Sequence, residues 1–312
     1  MKIATRESYG HALVQFAEAF PNMVVLDADL TGATKTNMFQ KAYPDRHINF
    51  GISEANMMGV AAGLATEGLI PVVSTFAIFA AGRAWEQARN SVAYPELNVK
   101  ICATHGGVSV GEDGASHQCI EDLALMRVIP NMTVLCPSDD IEAKAALHAA
   151  LSINGPVYLR FGRLATEVFN TSPDYSFEIG KAIPLRKGGD VTIIATGLCV
   201  WESLKAAEIL GESGIEASVI NMHTIKPIDV RALHQAALTT GKIVTVEEHS
   251  IIGGLGSAVA EILSEICPVP MMRIGVRDVF GESGTALQLL EKHNLTSARI
   301  ANETMHFLRR QR

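Results

Sequence analysis

Val99-Lys100-Ile101-Cys102-Ala103-Thr104 leads straight into His105-Gly106-Gly107-Val108-Ser109-Val110-Gly111-Glu112-Asp113-Gly114-Ala115-Ser116-His117, and a helical pattern takes over across 120–127. The first six residues are a short β-rich apolar run, and the helical pattern behind the loop supplies the cover that a buried strand needs. Strand, loop and helix together form the repeating unit of a parallel sheet. The unit recurs on both sides. Strand patterns fall at 23–27, 47–50, 69–74, 132–136 and 157–161, with helical patterns at 7–19, 55–67, 84–92 and 141–152. With 99–104 these make six strands, enough for one doubly wound, mostly parallel α/β sheet over residues 1–165.

Beyond it the pattern fades. Asn170-Thr171-Ser172-Pro173-Asp174 and Arg186-Lys187-Gly188-Gly189 are turn formers, so 166–189 reads as a linker. Strand patterns at 191–196, 216–222, 242–247 and 269–274 alternate with helices at 199–213, 230–238, 257–267 and 284–292. A smaller α/β unit over 190–312 is expected. The helix at 55–67 has Met57, Met58, Val60, Ala61, Ala62, Leu64 and Ala65 around its whole circumference, so it must be enclosed by a core or by another subunit.

A chain of 312 residues, 48% hydrophobic and 19% charged, is globular rather than disordered or coiled-coil, with room for roughly two domains. The formal net charge is -7 and no basic run tracks a phosphate backbone, which argues against nucleic acid. The five cysteines are widely spaced and never form CxxC, so neither a disulfide framework nor a zinc site is indicated. There is no signal-peptide core and no apolar stretch long enough to span a bilayer. A reducing cytoplasm fits best.

Ligands of doubly wound sheets bind at the carboxyl ends of the strands. Asp29 follows the strand at 23–27, Gly51-Ile52-Ser53-Glu54 the strand at 47–50, and Phe76 and Phe79 the strand at 69–74. The loop from His105 to His117 holds two histidines, two carboxylates and four glycines, a density that packing does not require. Histidines carry protons or bond anionic groups, and glycines let backbone approach a ligand. Arg163, after the last strand, has the guanidinium geometry suited to phosphate. Plainer readings exist for each: Glu54 as a helix-start carboxylate behind a Ser53 cap, Phe76 and Phe79 as core, the loop as a solvated surface feature. Gly253-Gly254-Leu255-Gly256 lacks the third glycine of a dinucleotide fingerprint and reads as helix packing.

Together these motifs resemble the C-terminal half of the transketolase family, its pyrimidine-binding domain followed by its C-terminal domain, over essentially the whole chain. Phe50-Gly51-Ile52-Ser53-Glu54 is similar to the segment whose glutamate bonds the aminopyrimidine of thiamine diphosphate. Ser74-Thr75-Phe76-Ala77-Ile78-Phe79 is similar to the segment giving aromatic contacts to that ring. His105 to His117, with Gly111-Glu112-Asp113-Gly114, resembles the loop carrying two active-site histidines and an aspartate that reads a sugar hydroxyl.

The resemblance implies a transketolase that moves a two-carbon ketol unit from a ketose phosphate to an aldose, as in pentose phosphate metabolism. Glu54, His105 and His117 would be catalytic, with the histidines stabilising oxyanions or shuttling protons. Asp29, Glu54, Phe76 and Phe79 would hold the cofactor, while His105, Asp113, His117 and Arg163 would bind substrate. The family's Gly-Asp-Gly element, followed at a distance by Asn, binds magnesium and the diphosphate and is missing here. The resemblance therefore implies a separate N-terminal subunit that supplies the Mg2+ ligands, in an α2β2 assembly. Gly82 stands where single-chain members usually have an aromatic residue, and Ala33 where they often have a serine, which bears on substrate choice. The rivals are the β subunit of a 2-oxo acid dehydrogenase, a deoxyxylulose phosphate synthase-like half, and a non-catalytic α/β scaffold subunit.

Overall fold

The computed structural model describes residues 1–311. Its strands are β1 (Lys2–Ala4), β2 (Met23–Asp27), β3 (His47–Asn49), β4 (Ile70–Phe76), β5 (Lys100–Thr104), β6 (Thr133–Leu135), β7 (Val157–Arg160), β8 (Ala165–Glu167), β9 (Ile183–Arg186), β10 (Val191–Ala195), β11 (Ala217–Asn221), β12 (Thr224–Lys226), β13 (Ile243–Ser250) and β14 (Met271–Val276). Strands β4 and β5 are buried along their whole length, as strands covered on both faces must be, which is why they read as continuous apolar runs.

Among the described residues, seven strands form one sheet in the order β12-β6-β7-β5-β4-β2-β3, parallel except for β12 at the edge. The chain runs outward from β2 to β3 and then crosses back to β4. The strand order therefore reverses between β2 and β4, the place where such sheets open a crevice. Register brings the ends together: Asp27 lies opposite both Asn49 and Ser74, and Phe76 opposite Thr104.

The second sheet runs β14-β13-β10-β11-β9, parallel except for β9. The two units are not independent. Strand β12, from beyond the second sheet's β11, pairs with β6 and extends the first sheet. One apolar cluster continues from Leu26 and Met57 through Val134 to Ile225, Leu233 and Leu255.

Four strands of three or four residues, β1, β8, β9 and β12, are absent from the sequence patterns because such short runs carry no period. Two of them, β8 and β9, lie in or at the edge of 166–189. The helix expected at 84–92 is broken: a wide turn at Phe79–Arg83, a single α turn at Trp85–Gln87 and a second wide turn at Ala88–Ala93. The final helix Ser297–Arg310 was not foreseen; it buries Ile300, Ala301, Thr304 and Phe307 along one stripe. Helix Glu54–Thr66 buries Met57, Met58, Ala61 and Ala62, yet Asn56, Gly59, Val60 and Gly63 are exposed. Its expected enclosure is therefore incomplete within one chain. Among the described residues no helix is long and apolar enough to cross a membrane.

Around Gly253-Gly254-Leu255-Gly256 the packing reading holds. The Leu255 and Gly256 amides open helix Leu255–Ile266 and donate to the two oxygens of Glu247, each at 2.7 Å. A Cβ on Gly256 would lie 2.7 Å from the Thr245 hydroxyl. An internal carboxylate already occupies the position that a dinucleotide phosphate would need.

Candidate functional site

The crevice at the β2 and β4 ends is built from short turns with few alternatives. After β2, the buried Asp27 accepts from the Leu30 amide at 2.6 Å and from the Thr34 and Thr36 hydroxyls at 2.8 and 2.9 Å. Burial pushes its carboxyl pKa up, and these three donors hold it back. Asp29 follows, exposed and left-handed at φ 62°, with its amide donating to Asn49 Oδ1 at 3.0 Å. Gly51 donates to the same oxygen at 2.9 Å, which ties the β2 and β3 ends together.

Glu54 is the first residue of its helix and is 4% exposed. Ser53 does not cap it; its hydroxyl donates instead to Phe50 O at 2.8 Å. The side-chain partner of Glu54 is Arg83, whose Nη1 lies 3.0 Å from Oε1 and whose guanidinium lies over the Phe79 ring, 4.2 Å from its centroid.

Phe79, half-buried, stacks at 5.7 Å and 9° on Phe76. Phe76, at 6% exposure, has its other contact with His105, ring centroids 3.8 Å apart. Phe76 is thus sandwiched as a floor, and Phe79 lies between it and the Arg83 guanidinium. His117 meets both edge-on, 5.6 Å from Phe79 and 6.1 Å from Phe76.

His105 is buried and left-handed at φ 59°. Its Nε2 faces Arg6 Nη1 at 3.0 Å and its Nδ1 faces the Thr104 hydroxyl at 2.8 Å. A guanidinium only donates, so Nε2 carries the lone pair and Nδ1 the proton, donated to Thr104. Burial first, then the charges of Arg6, Arg163, His117 and Lys35, pull its pKa down to about 3. Of the roles expected for His105, proton shuttle fits poorly: the cation it would form sits among cations. His117 is half-buried, with Nδ1 3.0 Å from the Ser116 hydroxyl.

The glycines of the loop serve a purpose different from the one expected. A Cβ on Gly106 would run into the Arg160 side chain, and one on Gly107 into the Glu248 carboxyl. Arg160 is buried, pairs with Asp122 at 2.8 Å, and donates from Nη2 to the carbonyls of Cys119 and Glu248, each at 3.0 Å. Glu248 in turn accepts from the Ser109 amide. Gln118 clasps residue 282 of the second unit, donating to its carbonyl at 2.8 Å and accepting from its amide at 3.0 Å. The backbone approaches protein here, not ligand.

Arg163 donates to Val110 O and lies 3.4 Å from Asp113. Asp113 is exposed. Arg6, which the sequence patterns passed over because β1 was not recognised, donates to Ala33 O at 3.0 Å as well as facing His105. Its pKa is lowered by burial and then by the charge of Arg163. Among the described residues no group of three or more His, Cys, Asp or Glu is placed to hold a metal ion.

A scan against family models matches residues 1–168 to the pyrimidine binding domain of transketolase and residues 180–300 to the transketolase C-terminal domain. The chain belongs to the transketolase family. It is 50% identical over 308 residues to a putative transketolase C-terminal section of Methanocaldococcus jannaschii, covering 98% of this chain and 96% of that protein. It is 46% identical over 295 residues, 95% and 91% of the two chains, to a 6-deoxy-6-sulfo-D-fructose transketolase subunit of a Clostridium species. A solved split-gene transketolase, described as an inactive β4 tetramer, superposes with a TM-score of 0.90 at 51% identity over 100% of both chains. Split subunits of transketolases are thus its full-length relatives. In this chain Glu54, Phe79, His105, His117, Arg6 and Arg163 lie around the carboxyl edge of the first sheet.

Proposed function

We propose that this chain is the pyrimidine-binding half of a transketolase that uses thiamine diphosphate and Mg2+ and works only with an N-terminal companion. The observation that carries the reading is the convergence on one crevice of a buried carboxylate, a half-buried aromatic ring, two histidines and two guanidiniums. The aminopyrimidine fits what is present. Glu54 is a desolvated acceptor whose partner is a half-exposed arginine, and Phe79 offers a ring face beside it. The family's cofactor, when bound, supplies an electron sink for cleavage beside a ketose carbonyl.

The chain's own groups would do the rest. Glu54 would hold a proton on the ring nitrogen it faces. Phe79 would take the ring face, with Phe76 as its support and Asp29 at the rim. His105, neutral, would accept from a sugar hydroxyl at Nε2 in place of Arg6, and His117 would move the proton that the substrate hydroxyl gives up. Asp113 would accept from a donor hydroxyl. Arg6, whose pKa is lowered by burial and then by the charge of Arg163, would share a dianionic phosphate with it. Metal and diphosphate contacts are assigned to the companion, and the bare Asn56, Gly59, Val60 and Gly63 face of helix Glu54–Thr66 supports a second chain packing there in an α2β2 assembly.

The test is ketol transfer from a ketose phosphate to an aldose phosphate, with thiamine diphosphate and Mg2+, by this chain alone and mixed with its companion. Activity in the mixture and not in either part is expected. A stable complex inactive on every ketose phosphate, yet active on a 2-oxo acid, overturns the reading in favour of an oxo-acid dehydrogenase β subunit.

A further inference from the structure

We infer that Arg83 is a gate on the cofactor subsite: in the free chain its guanidinium takes up both the Glu54 carboxylate and the Phe79 face, and it must swing out before an aminopyrimidine ring can seat. The inference rests on the thiamine diphosphate reading above and adds to it a residue that the site motifs do not include.

Three observations carry it. The first is double occupancy: Arg83 Nη1 is 3.0 Å from Glu54 Oε1 while the guanidinium carbon stands 4.2 Å from the Phe79 centroid. A guanidinium is flat, cationic and edged with N–H donors, so it satisfies the same two surfaces that a flat heterocycle with a donating edge would use. The second is local backbone. Residues Phe79–Arg83 form a wide turn closed by the Ala84 amide on Phe79 O at 3.3 Å, which brings Arg83 back over the ring four residues before it. Such turns are uncommon and cluster at functional sites. The third is room to move. The Arg83 side chain is 53% exposed while Glu54 is 4% exposed, so the carboxylate is enclosed and the guanidinium faces solvent, into which it can withdraw. At Gly82, the residue before it, an added Cβ would meet nothing within 4 Å, so the backbone carrying Arg83 is not packed in on that side. The acid is kept paired until a ligand replaces its partner, because a desolvated carboxylate without one is costly.

A gate lowers apparent affinity by the fraction of time it stands open. Removing it should therefore tighten binding, whereas loss of a merely structural residue would weaken it. Trp85, two residues on, with its indole nitrogen 2.9 Å from Leu125 O, is a built-in reporter. The experiment titrates thiamine diphosphate, with Mg2+, into the assembled complex of this chain with its companion and follows tryptophan quenching. Arg83→Ala is expected to lower Kd by about 3- to 10-fold, the factor set by one half-exposed ion pair and one cation–π contact. Arg83→Lys, which keeps the charge but loses the flat face, should fall between Arg83→Ala and the parent. An unchanged or raised Kd for Arg83→Ala, with the parent complex binding normally, overturns the gate and leaves the cofactor reading standing. A parent complex that does not bind thiamine diphosphate takes down the cofactor reading, and the gate with it.

Discussion

Gly107→Ala separates a glycine required by packing from one required by a ligand. Gly107 has φ 91°, and its missing Cβ is replaced in space by the Glu248 carboxyl. An L-residue pays about 1–2 kcal/mol to hold a left-handed conformation. Pushing the buried Glu248 aside adds about 1–3 kcal/mol of overpacking. Glu248 is not free to yield, since the Ser109 amide holds its carboxylate and Arg160 Nη2 its carbonyl at 3.0 Å. The substitution should therefore cost about 2–5 kcal/mol, a fall of roughly 5–15 °C in melting temperature for a protein of this size. Urea unfolding followed by circular dichroism measures it. Gly189→Ala, where the added Cβ meets nothing within 4 Å, is the control and should stay within about 0.5 kcal/mol of the parent. If Gly107→Ala unfolds like the parent but the assembled enzyme loses turnover, the glycine serves ligand approach and the packing argument is wrong.

Glu54→Gln should reduce turnover of the assembled enzyme by roughly 10²- to 10⁴-fold, the range for a positioned proton-transfer group, at an unchanged unfolding midpoint; retained turnover removes the role. Arg163→Ala should raise KM for phosphorylated sugars far more than for unphosphorylated ones, and equal effects on both would take the phosphate role from it. Glu142 is buried on Ser138, Tyr175 and Asn221, and burial pushes its pKa up to about 7. An acid whose folded pKa is raised makes the protein lose stability as pH climbs from its unfolded value near 4.5 to about 7. Glu142→Gln lacks that loss, so relative to the parent it should gain on the order of 3 kcal/mol between pH 4.5 and pH 7.5. Parallel stability curves for the two proteins would contradict this.

What the sequence made legible was local and periodic. The central strands β2, β4, β5 and β7 and their helices stand where continuous apolar runs put them, because strands buried on both faces cannot hide their composition. The loop from His105 to His117 stood out for the same reason, an excess of chemistry that no core needs. Arg6 was hidden because it follows a three-residue strand that pairs with β8 more than 160 residues later, and three residues have no period. Arg83 was hidden in the unassigned stretch between the strand at 69–74 and the helix read at 84–92. The wide turn at Phe79–Arg83 that carries its guanidinium back over Phe79 breaks the helical register there and is not a pattern of apolar residues.

The props of the site were illegible for a deeper reason. Glu248 lies 139 residues from Ser109, and residue 282 lies 164 from Gln118. In the sequence Glu248 is one carboxylate among 33, with nothing to mark it as buried against a loop of the other unit. Yet these contacts decide what the loop can be. Arg160 and Glu248 fill the space above Gly106 and Gly107, and Gln118 pins the loop's far end to the segment that follows β14. The composition of the loop, read alone, did not show why Gly106 and Gly107 are glycines: Gly106 admits Arg160 of the first sheet, and Gly107 admits Glu248 of the second unit. It follows that the second unit shapes the site without placing a side chain among the groups assigned to cofactor or substrate. Its carboxylate and backbone act on His105 and His117 through the loop between them.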